Sequence, residues 1–564
     1  MALETLNDAL RAHAHTRPDD AAVIWLHEDG AREIITYAQL RARAQQFADA
    51  LRARGFGADD VVILVLKHSP NLVYAFLGAM ACGAVPSIFA YLTEKLDPAM
   101  YRQRVRALVV EADARAVITF AEFQSDLAAL LNGADCRVWS DAELQTIPAR
   151  SQDECVFDAH KLAFLQYTSG TTGLQKGIAF THRAVLDHVS ARIEAFAMNA
   201  RDVVVSWLPL YHDMGLISGL VTPLAAGIPT VLMSPFQWVR DPKQLFLALH
   251  EFRGTLCWMP NFAFNHCTRL VRDRDLQGIN LSHVRAMVNG AEPVRQDTLE
   301  NFHARFDAYG LAPNAIKSAY GMAELVQSAT MCPLHESPRI DFVQRDALLT
   351  AQRAVPVTGA SDNVLSIVSC GVPLPRTQVR IVDAERRALP ERRVGEIILR
   401  SSAMLTGYYH RPDLTAQAIH DGWFYSGDLG YLADGQLFVC GRKKDLMISA
   451  GKNLYPQDLE AIANSVPGVY AGRAVAFGIV DAELGSERLY LVCELRPEVN
   501  PADLRAIERE IRRRVTQTLD VTLAAVQFVE KGWVLKTSNG KLARAANRDK
   551  YLQMFGGAQA ARNV

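Results

Sequence analysis

Short apolar runs alternating with helix-patterned segments predict an α/β fold with parallel-rich sheets flanked by helices. VVILVLK (61–67) reads as a strand buried on both faces and NLVYAFLGAMACG (71–83) as a buried helix, and VPSIFA (85–90) and RAVITF (115–120) are two more short apolar runs. The chain has 564 residues, more than one hydrophobic core accommodates, so two or more domains are expected. Its 49% hydrophobic and 21% charged residues are those of an ordinary globular protein.

Taken in order, TYAQLRARAQQFADALRAR (36–54) opens with a Thr36/Gln39 capping box and places Leu40, Ala44, Phe47 and Leu51 on one helical face. Gly55 and Gly57 stop it. LAFLQY (162–167) reads as a strand feeding YTSGTTGLQKG (167–177). In that loop the glycines let backbone N–H groups close on an anion, the hydroxyls add donors and Lys176 adds a charge, which makes a phosphate cradle. It is not the nucleoside-triphosphatase loop, because no Ser or Thr follows the lysine and no glycine precedes it. VVVSWLPLYHDMG (203–215) runs from a strand into His212 and Asp213. Gly215 to Val239 carries no charge, but Gly219, Pro223, Gly227 and Pro229 divide it into a buried helix, a turn and a strand rather than a transmembrane segment.

VNGAEPV (288–294) reads as a strand-end turn able to line a purine. In KSAYGMAE (317–324), Tyr320 offers a flat face to a base and Glu324 a hard oxygen to Mg²⁺. Asp428 in YSGDLGYL (425–432) could accept from both ribose hydroxyls. Beyond GRKKDLMISAGKNLYPQDLE (441–460), AVAFGIV, RLYLVCEL and AAVQFVEK read as strands and DLRAIEREIRRRVTQTL as a helix, before Lys541 on the Gly-containing loop KTSNGKLAR.

With 60 Lys+Arg against 61 Asp+Glu, nothing in the charge balance points to nucleic acid. The 9 cysteines form no CxxC pair and no zinc spacing, as reduced thiols would. Glu4 and Asp8, with no apolar core near the N-terminus, give no signal-peptide pattern, and a cytoplasmic location is expected.

These motifs, in this order from about Thr36 to Lys541, resemble the adenylate-forming superfamily of acyl-CoA synthetases, fatty acyl-AMP ligases, luciferases and nonribosomal-peptide adenylation domains. WLPLYHDMGLISGL, PNFAF and VNGAEPV are most similar to the fatty acyl-AMP ligases. The resemblance implies a large N-terminal domain (1–440) with a small barrel-like β part and an insert at about 331–365, then a small mobile α/β domain (441–564). It implies ATP phosphates on Thr168, Ser169, Gly170, Thr171, Thr172 and Gly173 with Lys176. Asn289, Gly290, Ala291 and Glu292, with Ala319, Tyr320, Gly321 and Met322, would surround the base. Glu324 would help to hold Mg²⁺, Asp428 the ribose, and Arg442 the ribose and phosphate. Asp445 would mark the hinge, His212 would sit beside the substrate carboxylate, and Lys541 would swing in to touch the carboxylate and the α-phosphate.

The implied reaction is attack of a fatty acid carboxylate on the α-phosphorus of ATP, giving acyl-AMP and pyrophosphate, then transfer to the phosphopantetheine thiol of an acyl carrier protein. The long stretch between Glu324 and Gly371, like GKNLYPQDLE, favours the carrier over coenzyme A, and a CoA ligase is the alternative. An inactive nucleotide-binding sensor is disfavoured by the presence of Lys176, Glu324, Asp428 and Lys541. Trp207, Met214, Trp258 and Met259 are the acyl-pocket candidates. If Trp258 faces the chain it shortens the tunnel toward medium-length or functionalised acids, and strand alternation equally allows it to face the core.

Overall fold

A computed structural model describes residues 4–93, 98–146, 158–167, 176–358, 363–449, 452–481, 486–537 and 540–560. The largest sheet has nine strands in the order Val372–Pro373, Ser328–Met331, Ile316–Gly321, Ala286–Gly290, Leu256–Pro260, Val204–Ser206, Thr230–Met233, Ala21–Leu26 and Arg32–Thr36. From Ile316–Gly321 to Ala21–Leu26 the pairings are parallel, and antiparallel strands close both edges. The apolar runs near the N-terminus form a second, four-stranded parallel sheet of Val85–Ile88, Val61–Val65, Ala116–Thr119 and Arg137–Ser140. The small β part is a five-stranded antiparallel sheet built from Thr377–Val382, Gly395–Ser401, Trp423–Ala433, Ile419–His420 and Gln436–Arg442.

The helix Tyr37–Arg52 starts at the expected capping box, in which the Thr36 hydroxyl accepts from the Gln39 N–H and the Gln39 side chain from the Thr36 N–H. Leu40, Ala44, Phe47 and Leu51 are buried on its inner face. The charge-free stretch is a buried helix, a turn and a strand as expected, but Met214–Val221 is wound as a π-helix. Two close contacts accompany this widening. A Cβ at Gly215 would collide with the Pro209 carbonyl, and the Thr230 hydroxyl donates to the Gly219 carbonyl at 2.7 Å, satisfying an oxygen the helix leaves without its usual partner. No helix among the described residues is long and apolar enough to cross a membrane.

The smaller C-terminal domain packs the helices Pro456–Asn464 and Leu504–Leu519 on a sheet of Val469–Asp481, Ser486–Leu495 and Leu523–Val529. The segment expected as an insert contains the antiparallel pair Ile340–Gln344 and Val364–Val368 and the helix Arg345–Ala351. Leu349 of that helix, 1% exposed, is part of the C-terminal domain's hydrophobic core together with Met447, Leu454 and Leu459. Residues 359–362 lie outside the described residues.

Candidate active site

The strand ends of the large sheet and the antiparallel sheet converge on a set of buried carboxylates. Asp428 lies directly opposite Arg442 in the ladder between Trp423–Ala433 and Gln436–Arg442, and the Arg442 Nε is 3.4 Å from its Oδ1. Tyr320, on Ile316–Gly321, donates its phenol to Asp428 Oδ2 at 2.8 Å, and both residues are buried. Burial raises the Asp428 pKa, and Arg442, the Tyr320 hydroxyl, Lys541 and Lys444 oppose that shift. Glu324 accepts from the Tyr408 hydroxyl at 2.9 Å, and the Lys176 ammonium lies 4.8 Å from the centre of the Tyr408 ring. Burial also pushes the Glu324 carboxyl up, against the hydrogen bonds and the charges of Lys176 and Arg442.

His212 Nδ1 is 2.5 Å from the Asp213 carboxylate at the entry to the π-helix. Asp213 and His212 both meet the Met214 N–H, at 2.7 Å and 3.1 Å. Burial, the largest influence on Asp213, raises its pKa, but His212 and Lys541 outweigh it and the carboxyl stays below its usual range. Lys541 arrives from the C-terminal domain. Burial and Arg442 lower its pKa, while Asp213, Glu292 and Asp428 pull the other way. Lys176, Arg442, Lys444 and Lys541 therefore form one electrostatic cluster with Asp213, Glu324 and Asp428, although their positions span most of the chain.

The turn after Ala286–Gly290 has Ala291 at φ 65, a left-handed conformation unusual for a residue with a side chain. Asn289, fully buried, donates to Asn261 Oδ1 at 2.9 Å and leaves its own carbonyl oxygen without a partner among the described residues. That orphan acceptor at a strand end suits an exocyclic amine such as a purine carries. Glu292 instead accepts from the Phe262 N–H at 3.0 Å. Ala319, Gly321 and Met322 flank Tyr320, and a Cβ at Gly321 would collide with the Gln327 backbone, so the chain must pass closely there. Asp445 is bound by Arg544 at 2.9 Å, and Arg544 also grips Glu460 at 2.7 Å.

Trp207, Met214, Trp258 and Met259 share one buried hydrophobic cluster. Trp207 stacks on Trp238 with centroids 3.6 Å apart, and Trp258 meets Phe196 edge-on at 5.1 Å. Thr168, Ser169, Gly170, Thr171, Thr172 and Gly173 lie outside the described residues. Their flanking strands, Leu162–Tyr167 and Gly177–Thr181, pair antiparallel, and Gly177 packs so closely on the Tyr167 ring that a Cβ would sit 2.9 Å from it. Sequence reasoning missed Lys444, Tyr408, Arg192 and Gln327. For Arg192 a signal existed: Val185, His188 and Arg192 recur at helical spacing on the buried face of His182–Ala195, which puts a charge where an apolar residue belongs. No pattern marks Tyr408, since its partner Glu324 is remote in sequence.

Parallel sheets that present caged carboxylates and clustered cations, with a smaller domain contributing one of the lysines, are the architecture of an adenylate-forming enzyme. Residues 10–409 match the AMP-binding enzyme family, and the chain belongs to it. It is 31% identical to the medium-chain-fatty-acid–[acyl-carrier-protein] ligase JamA of Moorena producens, over 97% of this chain and 95% of that one. It is also 31% identical to the long-chain-fatty-acid–AMP ligase FadD26 of Mycobacterium tuberculosis, over 96% of both chains. Among solved structures, one from a study of fatty acyl-adenylate ligases from E. coli and L. pneumophila superposes with a TM-score of 0.91 at 28% identity, covering 99% of each chain. The L. pneumophila fatty acyl-adenylate ligase in complex with acyl adenylate and pyrophosphate gives a TM-score of 0.75 at 26% identity, covering 98% of this chain and 97% of that one.

Proposed function

We propose that this enzyme activates a medium- to long-chain or functionalised fatty acid with ATP, releasing pyrophosphate, and passes the acyl group from acyl-AMP to the phosphopantetheine thiol of an acyl carrier protein. The observation that carries this reading is the cation cluster around Asp428, Glu324 and Asp213, in which Lys541 of the C-terminal domain lies within electrostatic reach of Asp213 and Asp428. The reaction brings two anions together and must spread charge as pyrophosphate leaves, which preorganised cations in a dry site accomplish. Asp428 accepts the ribose hydroxyls, with Tyr320 and Arg442 fixing its orientation. Asn289, Gly290, Ala291, Glu292, Ala319, Gly321 and Met322 border the base. Lys176, with the loop from Thr168 to Gly173, holds the departing phosphates. His212 and Lys541 position the attacking carboxylate, and Asp445 is the pivot of the small domain.

Mg²⁺ fits this site. No group of three or more His, Cys, Asp or Glu suited to a metal occurs among the described residues, and Mg²⁺ is commonly held by one or two carboxylates together with substrate phosphates. Glu324, a half-buried carboxylate with a neutral tyrosine donor, would be its protein ligand; bound there, the ion would neutralise charge on the pyrophosphate. The acceptor assignment is supported by Leu349, through which the insert is fastened to the C-terminal domain. The test is acid-dependent ATP–pyrophosphate exchange across a chain-length panel. Fatty-acid-dependent exchange is expected, and its absence with every acid would contradict the reading.

A further inference from the structure

The helix His182–Ala195 buries a cation that the chemistry above does not use. Arg192 is 0% exposed and no carboxylate pairs with it among the described residues. Its guanidinium donates to Ser218 Oγ at 3.0 Å, to Ser328 Oγ at 3.4 Å and to Gln327 Oε1, all neutral, and lies 4.7 Å from the centre of the Trp258 ring. Its Nε has no hydrogen-bond partner. Burial draws its pKa down to about 9, which leaves it charged at neutral pH. A buried charge without a counter-charge is costly, and an apolar residue of similar volume would fill the space without that penalty.

The elements around Arg192 all carry candidate site residues. Ser218 lies on the π-helix that begins at Met214, beside His212 and Asp213. Trp258 lies on Leu256–Pro260, whose end pairs with Asn289 and Gly290. Gln327 follows Glu324 through Val326, which has φ 65 and ψ −49 with the Gln327 N–H bonded to the Leu325 carbonyl at 2.7 Å. This tight three-residue turn is strained, the more so for a β-branched residue, and such strain gathers at ligand-binding positions. His188, one turn before Arg192, accepts from the Ser328 N–H at 3.5 Å and senses the charges of both Arg192 and Asp213. Through Ser218 the guanidinium is thus tied to the helix that begins beside the candidate carboxylate site.

We propose that Arg192, supported by Ser218 and Gln327, is a polar subsite in the wall of the acyl pocket, and that the acid activated here carries an oxygen acceptor, an oxo or carboxylate group, on its chain. This rests on the adenylation reading above. Trp258 then acts as the stacking platform that holds the guanidinium, rather than as a plain apolar plug.

The experiment is ATP–pyrophosphate exchange by the full chain and by Arg192→Met, with acids of equal length that are unsubstituted, 3-oxo, 3-hydroxy or ω-carboxylated. For the native enzyme, kcat/KM for an oxo or carboxylated acid should exceed that for the unsubstituted acid by about tenfold or more, as expected where a site is built to pair a substrate oxygen. Arg192→Met should abolish that preference and leave the KM for ATP in place. A native enzyme that favours the unsubstituted acid, or a variant that loses the same factor with every acid, overturns the subsite and makes Arg192 structural. If Arg192→Met does not fold, Ser218→Ala takes its place, and an unchanged preference in that variant overturns the proposal. Absence of exchange with every acid in the native enzyme would overturn the adenylation reading itself, and the subsite with it.

Discussion

Lys541 carries the sharpest expectation among individual residues, because it is the cation that the C-terminal domain brings to Asp213 and Asp428. Lys541→Ala should reduce acid-dependent ATP–pyrophosphate exchange by about a hundredfold or more, the cost of removing one preorganised charge-stabilising group. Transfer of a supplied acyl-AMP to the thiol should survive, and equal loss of both steps would contradict a role confined to adenylation. The pH dependence has a definite sign. Burial, the largest influence, lowers the Lys541 pKa, so the cation that the proposed reaction uses is lost as pH rises through a value below the ordinary lysine range. Exchange should therefore fall on the alkaline side earlier than an exposed lysine would allow. Lys541→Arg, which stays charged, should move that limb upward, and a limb that does not move would assign it to another group. Lys176, Glu324, Asp428, Arg442 and Lys541 were legible because each stands in a contiguous motif with an obvious chemical capability. Arg192 and Tyr408 were not, since their partners Gln327 and Glu324 meet them only through the tertiary fold.

Secondary-structure elements were legible where local chemistry decides them. Thr36 and Gln39 announce the helix Tyr37–Arg52, and continuous apolar runs announce the parallel strands. The π-helix Met214–Val221 was not legible, because a buried, charge-free segment gives no helical periodicity and its contacts with Pro209 and Thr230 come from outside it. Thr230→Val should leave the buried Gly219 carbonyl unsatisfied and destabilise the protein by about 1–3 kcal/mol, as read by denaturant unfolding. A change within about 0.5 kcal/mol would show that the carbonyl finds another donor. The insert makes a second prediction among elements. Leu349, buried in the C-terminal core, is one of the side chains through which Arg345–Ala351 meets the small domain. On the proposed reading, Leu349→Ser should raise CoA thioester formation relative to carrier loading, as trimming 331–365 should. An unchanged ratio with adenylation intact would place acceptor choice elsewhere.

Across the molecule, the two domains are joined by apolar contacts of Leu348 and Leu349 with the small domain and by polar contacts beside them. The Gln457 side chain donates to the Cys440 carbonyl at 2.7 Å, and Arg295 approaches Asp458 at 3.9 Å. Asp445 is clamped by Arg544 just beyond this junction, and on the proposed reading the small domain holds Lys541 for one step and releases it for the next. The order of domains and the α/β class were legible from motif order and strand alternation. The contact of the segment expected as an insert with the small domain was not, because it depends on a few leucines, Leu349 and Leu365 among them, meeting residues about a hundred positions later. The most direct test of the account is to incubate the purified chain with ATP, Mg²⁺ and a fatty acid, offer equal holo-acyl carrier protein and coenzyme A, and measure both thioesters together with AMP. AMP release with acyl-carrier protein as the dominant thioester is the predicted result; acyl-CoA as the main product, or no AMP with any fatty acid, would contradict it.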